Sequence, residues 1–87
     1  MERFADSRLE EIFNYRNCGE LPRELCGRAH RMSRLLSAAR SLATVTLFAK
    51  PVRQADGSFS VQVHNRWHIR FDWDAKVGAY AMKLERR

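Results

Sequence analysis

The apolar positions of this chain keep a helical spacing up to Leu42 and an alternating spacing after it, and that one change of period sets the class of fold. Leu9, Ile12 and Phe13 recur at helical intervals across Asp6 to Tyr15, with Asp6 or Ser7 placed to cap the first turn. Asn17-Cys18-Gly19-Glu20 breaks that helix, and Pro22 suits the first turn of the next, where its missing N–H costs nothing. Leu25, Ala29, Met32, Leu35, Leu36 and Ala39 then mark one apolar stripe, with Arg23, Glu24, Arg28, Arg31, Arg34 and Arg40 on the other side. Those charges read either as a solvated helix face or as part of one basic surface shared with a sheet.

Beyond Leu42 the β-branched run Thr44-Val45-Thr46-Leu47-Phe48 predicts a strand, and Lys50 to Gly57 a loop with Asp56-Gly57 as its turn. Phe59, Val61 and Val63 alternate with polar residues. After a connection at His64-Asn65-Arg66, so do Trp67, Ile69, Phe71 and Trp73. Lys76-Val77-Gly78 supplies another turn, and Tyr80, Met82 and Leu84 complete the apolar face. The expected architecture is α+β: two N-terminal helices packed on one face of a roughly four-stranded antiparallel sheet, with residues 1–87 as a single domain. The opposite sheet face then looks outward and carries Gln62, His64, His68, Arg70, Asp72 and Lys83, with Ala79 and Ala81 leaving it open. Trp67, Trp73 and Tyr80 are read as core rather than as stacking platforms. His30 is read as a polar helix position.

Charge narrows the partners. Sixteen Lys+Arg against ten Asp+Glu give a net +6. Only Lys50, Lys76 and Lys83 are lysines, so the cations are mainly arginine. High genomic GC content raises arginine, but its planar fork also binds phosphate oxygens in pairs and stacks on bases. The balance points to a nucleic acid or a nucleoprotein. No apolar run approaches the ~18 to 20 residues that span a bilayer, so no membrane is expected. The N-terminus lacks a signal-peptide core, which predicts a cytoplasmic protein. In that compartment Cys18 and Cys26 are expected to be two reduced, partly buried thiols. With no ligand cluster at metal spacing, a metal site is not expected.

The order of elements, together with Phe59-Ser60-Val61-Gln62-Val63-His64-Asn65-Arg66-Trp67-His68-Ile69-Arg70-Phe71, resembles the RelE/ParE toxin superfamily. Within it, the Trp-x-Ile-x-Phe strand and the Ala38-Ala39-Arg40-Ser41-Leu42 helix end are most similar to the HigB-like "plasmid maintenance system killer" branch. The resemblance implies a RelE-like fold and a toxin of a type II toxin–antitoxin system. Such a toxin is a ribosome-dependent endoribonuclease that cuts mRNA without a cofactor and is silenced by a cognate helix-turn-helix-type antitoxin. The reaction is attack of a ribose 2′-OH on the adjacent phosphate, which needs a base, cations for the charge on phosphorus and an acid for the 5′-oxygen.

His68 stands where that branch carries arginine, flanked by Arg66 and Arg70, and these three are the expected catalytic residues. Lys50, Arg53, His64, Lys83, Arg86 and Arg87 are the expected RNA-binding residues. The branch's C-terminal acidic-Tyr-His sequence is not matched by Leu84-Glu85-Arg86-Arg87, so His68 or His64 takes the acid/base role, or Arg and Lys act alone. Two other outcomes stay open: a ParE-like gyrase inhibitor, and a non-cleaving ribosome or RNA binder.

Overall fold

A computed structural model describes residues 2–87 and gives the order α1 (Ser7–Tyr15), α2 (Arg23–Ala38), α3 (Leu42–Val45), β1 (Val52–Arg53), β2 (Phe59–His64), β3 (Trp67–Asp74) and β4 (Gly78–Arg86). The strands form one antiparallel sheet in the order β1-β2-β3-β4. The fold is the expected α+β class, with α1 and α2 burying their apolar stripes on one sheet face. Leu9, Ile12, Leu25, Ala29 and Leu36 from the helices meet Val61, Ile69, Phe71, Met82 and Leu84 from the strands in one core.

Local chemistry explains where the elements start and stop. The Asp6 carboxylate accepts the Arg8 backbone N–H at 2.9 Å and so caps α1. Arg16 ends that helix in the left-handed region at φ 53°, its N–H reaching the Ile12 carbonyl. Asp74 Oδ1 accepts the Lys76 and Val77 N–H groups at 2.7 and 3.2 Å, which closes the β3–β4 turn. Asn65, at φ 51°, supplies the left-handed position between β2 and β3.

Three expectations are corrected by the fold. Thr44–Phe48 is no strand, because the Ser41 hydroxyl accepts the Thr44 N–H at 3.2 Å and caps the helical turn α3. Val45 from that turn is fully buried, so its apolar side chain reaches the core from a helix instead. The first strand is the two-residue β1, inside the segment expected to be loop.

The face assignment of β4 also changes. Arg70 pairs with Lys83 but Asp72 pairs with Tyr80, so Ala81 and Met82 together face Phe71 across a bulge. Ala81 takes φ 52° there. The bulge swaps the faces of the residues before it: Ala79 enters the core, and half-exposed Tyr80 shares the outer face with Asp72. An N-terminal arm fills the edge beside the bulge, with Ala81 and Met82 donating to the Glu2 and Arg3 carbonyls at 2.8 and 2.9 Å. Further along, the Leu84 N–H donates to Asp6 Oδ2 at 3.1 Å, so this edge of the sheet is covered.

The third correction concerns the cysteines. Cys18 and Cys26 are joined in a disulfide, with Cα atoms 5.6 Å apart, across the turn that links α1 to α2. Closing a loop of this length removes entropy from the unfolded chain worth about 2 to 3 kcal/mol. Reduction, or Cys18→Ser with Cys26→Ala, is therefore expected to lower the melting temperature by roughly 10 °C or more. Parallel melts with and without reductant measure this, and identical curves would show that the bridge carries no stability.

Candidate functional site

β2 and β3 set the outer sheet face in rows. Ser60, Arg70 and Lys83 lie side by side across three strands, and Gln62, His68 and Glu85 form the next row. Because β1 pairs only with Phe59 and Ser60, the rest of β2 borders a groove on its edge away from β3. At its sheet end this is a cleft of about 380 Å³, lined by Lys50, Ser60, Gln62, His68 and Arg87 with Met32 and Phe48 as apolar wall.

His68 is oriented by the chain itself. Its Nδ1 lies 3.1 Å from the Arg66 carbonyl oxygen, which can only accept. Nδ1 therefore carries the proton, and in the neutral ring Nε2 keeps its lone pair as a base. Arg87 is held beside it by donating from Nη2 to the Gln54 side-chain oxygen and the Ser60 hydroxyl, each at 3.1 Å. Its backbone N–H donates to the same Arg66 carbonyl at 2.8 Å. Lys50, exposed in the segment before β1, also lines the cleft.

The remaining expected site residues are elsewhere. Arg70 lies on the outer face but is engaged by acids, with guanidinium nitrogens 3.3 Å from Glu85 and 3.5 Å from Asp56. Its Nε also donates to the Ser58 hydroxyl at 3.1 Å. Lys83 shares Glu85 at 3.3 Å. The expected cationic face is thus a chain of alternating charges, Asp56–Arg70–Glu85–Lys83, and its cations are largely neutralised.

His64 does not share the outer face, contrary to the alternation of β2. The register shift between Gln62 and His64 pairs it with Trp67, and its Nε2 lies 3.8 Å from the Glu24 carboxylate on α2. Arg66 and Arg86 line a separate surface recess with His64 and half-buried Trp67. Arg66 meets the cleft only through its carbonyl. Arg53 is exposed on β1 and is not among the cleft-lining residues. Ser60, Gln62, Met32 and Phe48 were not singled out by the sequence, although the outward alternation of Gln62 was visible there.

His30 lies outside the cleft on α2. Burial, then Arg16 and Arg34, push its imidazole below the ordinary value, which favours the neutral ring. Among the described residues, no three His, Cys, Asp or Glu side chains gather as a metal-binding group. Among them too, no helix is long and apolar enough to cross a membrane. Comparison with protein-family models and with curated proteins finds no match.

Asp56 ties the β1–β2 turn to the outer face, and its acidity makes that tie sensitive to pH. Its Oδ1 accepts the Ser58 hydroxyl at 2.6 Å and the Ser58 N–H at 2.9 Å, and these bonds, helped by Arg70, hold its carboxyl below the ordinary value. A carboxyl more acidic in the folded than in the unfolded chain stabilises the fold fully above its unfolded value. That contribution disappears as pH falls through the lower folded value. Asp56→Asn is therefore expected to lower stability at neutral pH, where the ionised carboxylate contributes, and to flatten the loss below the ordinary Asp range, so that the two proteins converge in acid. Urea midpoints of both proteins across that acid window test this, and parallel curves would refute it.

Proposed function

We propose that this protein is an RNA-cleaving toxin of a type II toxin–antitoxin system, a HigB-like member of the RelE/ParE superfamily acting on mRNA at the ribosome. The observation that carries the chemistry is the meeting of His68, its Nε2 free to accept a proton, with Lys50 and Arg87 in one cleft. Support for the toxin class comes from the resemblance of the β2–β3 segment and from the order of helices and strands.

In this reading His68 Nε2 takes the proton of a ribose 2′-OH as that oxygen bonds to the adjacent phosphorus. The bond from phosphorus to the 5′-oxygen breaks, leaving a 2′,3′-cyclic phosphate and a 5′-hydroxyl end. Arg87 and Lys50 carry the additional negative charge on the phosphoryl oxygens during the transfer. The leaving 5′-oxygen receives its proton from the Lys50 ammonium or from water, since no second histidine lines the cleft. A helix-turn-helix-type antitoxin is the partner that the resemblance implies. A non-cleaving RNA or ribosome binder is the second reading, favoured by the pairing of Arg70, an expected catalytic cation, with Glu85 and Asp56.

Expression without an antitoxin is expected to arrest growth and leave mRNA cut in register with codons, with cyclic phosphate at the new ends. Arrest with intact mRNA would overturn cleavage. A supercoiling assay run alongside then identifies a gyrase inhibitor by its loss of gyrase activity.

A further inference from the structure

The cleft does not end at Gln62. Met32, Phe48 and Gln62 also line a second recess of about 720 Å³, which runs along α2 past Leu35 to Gly27, Arg28, Arg31 and Arg16. The two hollows share these three residues and form one groove. Cations stand at both ends, Lys50 and Arg87 beside His68 and three arginines at the helix end. Its middle is apolar, with Phe48 and Met32 half-buried and Leu35 37% exposed. The one acid in the helix section, Glu24, already lies 3.4 Å from Arg28 and 3.8 Å from His64. Gly27 adds no side chain, and nothing lies within 4 Å of where its Cβ would stand, so the groove is open there.

Charged ends around an apolar middle suit one kind of polymer. Single-stranded nucleic acid presents phosphates at regular intervals and flat bases that stack on aromatic and thioether side chains. An acidic peptide would match the cations but would leave Phe48 and Met32 without a stacking partner. We propose that the α2 section of the groove is an extended binding track for single-stranded RNA. Arg28 and Arg31 hold phosphates of nucleotides flanking the one at His68, and Phe48 with Met32 carries a base between the two sections. Gln62 is posed at the junction. Its side-chain Nε2 donates to the Asn65 carbonyl at 2.7 Å, which leaves Oε1 as the free acceptor. This rests on the reading of His68 as the cleavage end of the groove, but the track can be tested apart from cleavage.

The probe is a set of oligouridylates carrying 2′-O-methyl groups, which lack the attacking hydroxyl and stay intact on the 87-residue chain. Fluorescence anisotropy at several salt concentrations is expected to show tighter binding as the oligomer grows from about two to about eight nucleotides. Replacing both helix arginines (Arg28→Gln with Arg31→Gln) is expected to weaken the long oligomer on the order of tenfold and leave the short one unchanged. The same change lowers the salt slope by about 1.4, at roughly 0.7 for each single-strand phosphate that the protein no longer neutralises. Arg34→Gln with Arg40→Gln removes the same charge away from the groove and is expected to have little effect. Affinity independent of length, or equal losses for the two pairs, would overturn the track. So would binding of oligoglutamate with the same Arg28 and Arg31 dependence, which would assign the surface to an acidic protein. Length-dependent binding without cleavage of unmodified RNA would sink the catalytic reading and leave the track standing. Cleavage with an indifferent Arg28/Arg31 pair would do the reverse.

Discussion

Replacing His68 with alanine is expected to slow RNA cleavage by about two to four orders of magnitude, the usual contribution of a positioned proton acceptor. The size follows from how little else in the cleft can do the task. Lys50 and Arg87 are protonated cations, and Gln62 and Ser60 are weak bases, so the imidazole is the one group lining the cleft suited to deprotonating a 2′-OH near neutral pH. Loss of its Nδ1–H bond to the Arg66 carbonyl costs stability only on the order of 1 kcal/mol, since the ring is half-exposed. The folded variant should therefore bind RNA and fail to cut it. Arg66→Ala gives the matching control. Its carbonyl stays in place, so cleavage is expected to persist within a few-fold of the parent, against the catalytic role that the sequence suggests for that side chain. Single-turnover rates on one RNA decide the matter. If His68→Ala cut as fast as the parent, the base would lie outside the cleft.

The two long helices and most of the β2–β3 hairpin were legible because a single interaction, burial of one face, governs them. The errors fall where a cap, an irregular pairing or a distant residue intervenes. Thr44-Val45-Thr46 has the composition of a strand, and the capping Ser41 three residues before Thr44 was the local signal against it. The face swap of Ala79 and Tyr80 depends on a bulge at Ala81, next to which an N-terminal arm hydrogen-bonds, and alternation alone cannot reveal it. The same holds at His64, turned from the outer face by one irregular pair beside Val63. At the site, His68 was visible as an outward strand residue, while its approach to Lys50 and Arg87 depends on segments far apart in sequence meeting at one cleft. The neutralisation of Arg70 was hidden for a like reason: Asp56 and Glu85 reach it from 14 and 15 positions away. Charge composition announced a basic protein, but only the fold shows which cations gather in the groove and that Arg70 and Lys83 share Glu85 outside it.

The site also depends on a buried ring that never touches it, and Phe71→Ala is expected to remove most of the protein's stability. Phe71 is the largest fully buried side chain among the described residues, at 1% exposure, on the central strand β3. Its ring stacks on Phe59 of β2 with centroids 5.8 Å apart, and across β4 it faces the bulge at Ala81 and Met82. Truncation leaves a cavity where three strands meet, at a cost of about 3 to 5 kcal/mol. A chain this small has roughly 4 to 13 kcal/mol in total, so the loss is a large share of it. Phe71→Leu keeps most of the volume and is expected to cost less than about 2 kcal/mol. Urea denaturation of the three proteins measures both, and a cost below about 1 kcal/mol for the alanine variant would show that the site relaxes around the missing ring. The consequence for function follows from strand geometry. Arg70 and Asp72 flank Phe71 on the opposite face, and His68 lies one alternation further along the same strand. A strand free to shift around an empty core position cannot hold His68 against the Arg66 carbonyl and Arg87 against Ser60 together. Cleavage in Phe71→Ala is therefore expected to fall more steeply on warming than in Phe71→Leu, well before either protein unfolds in bulk.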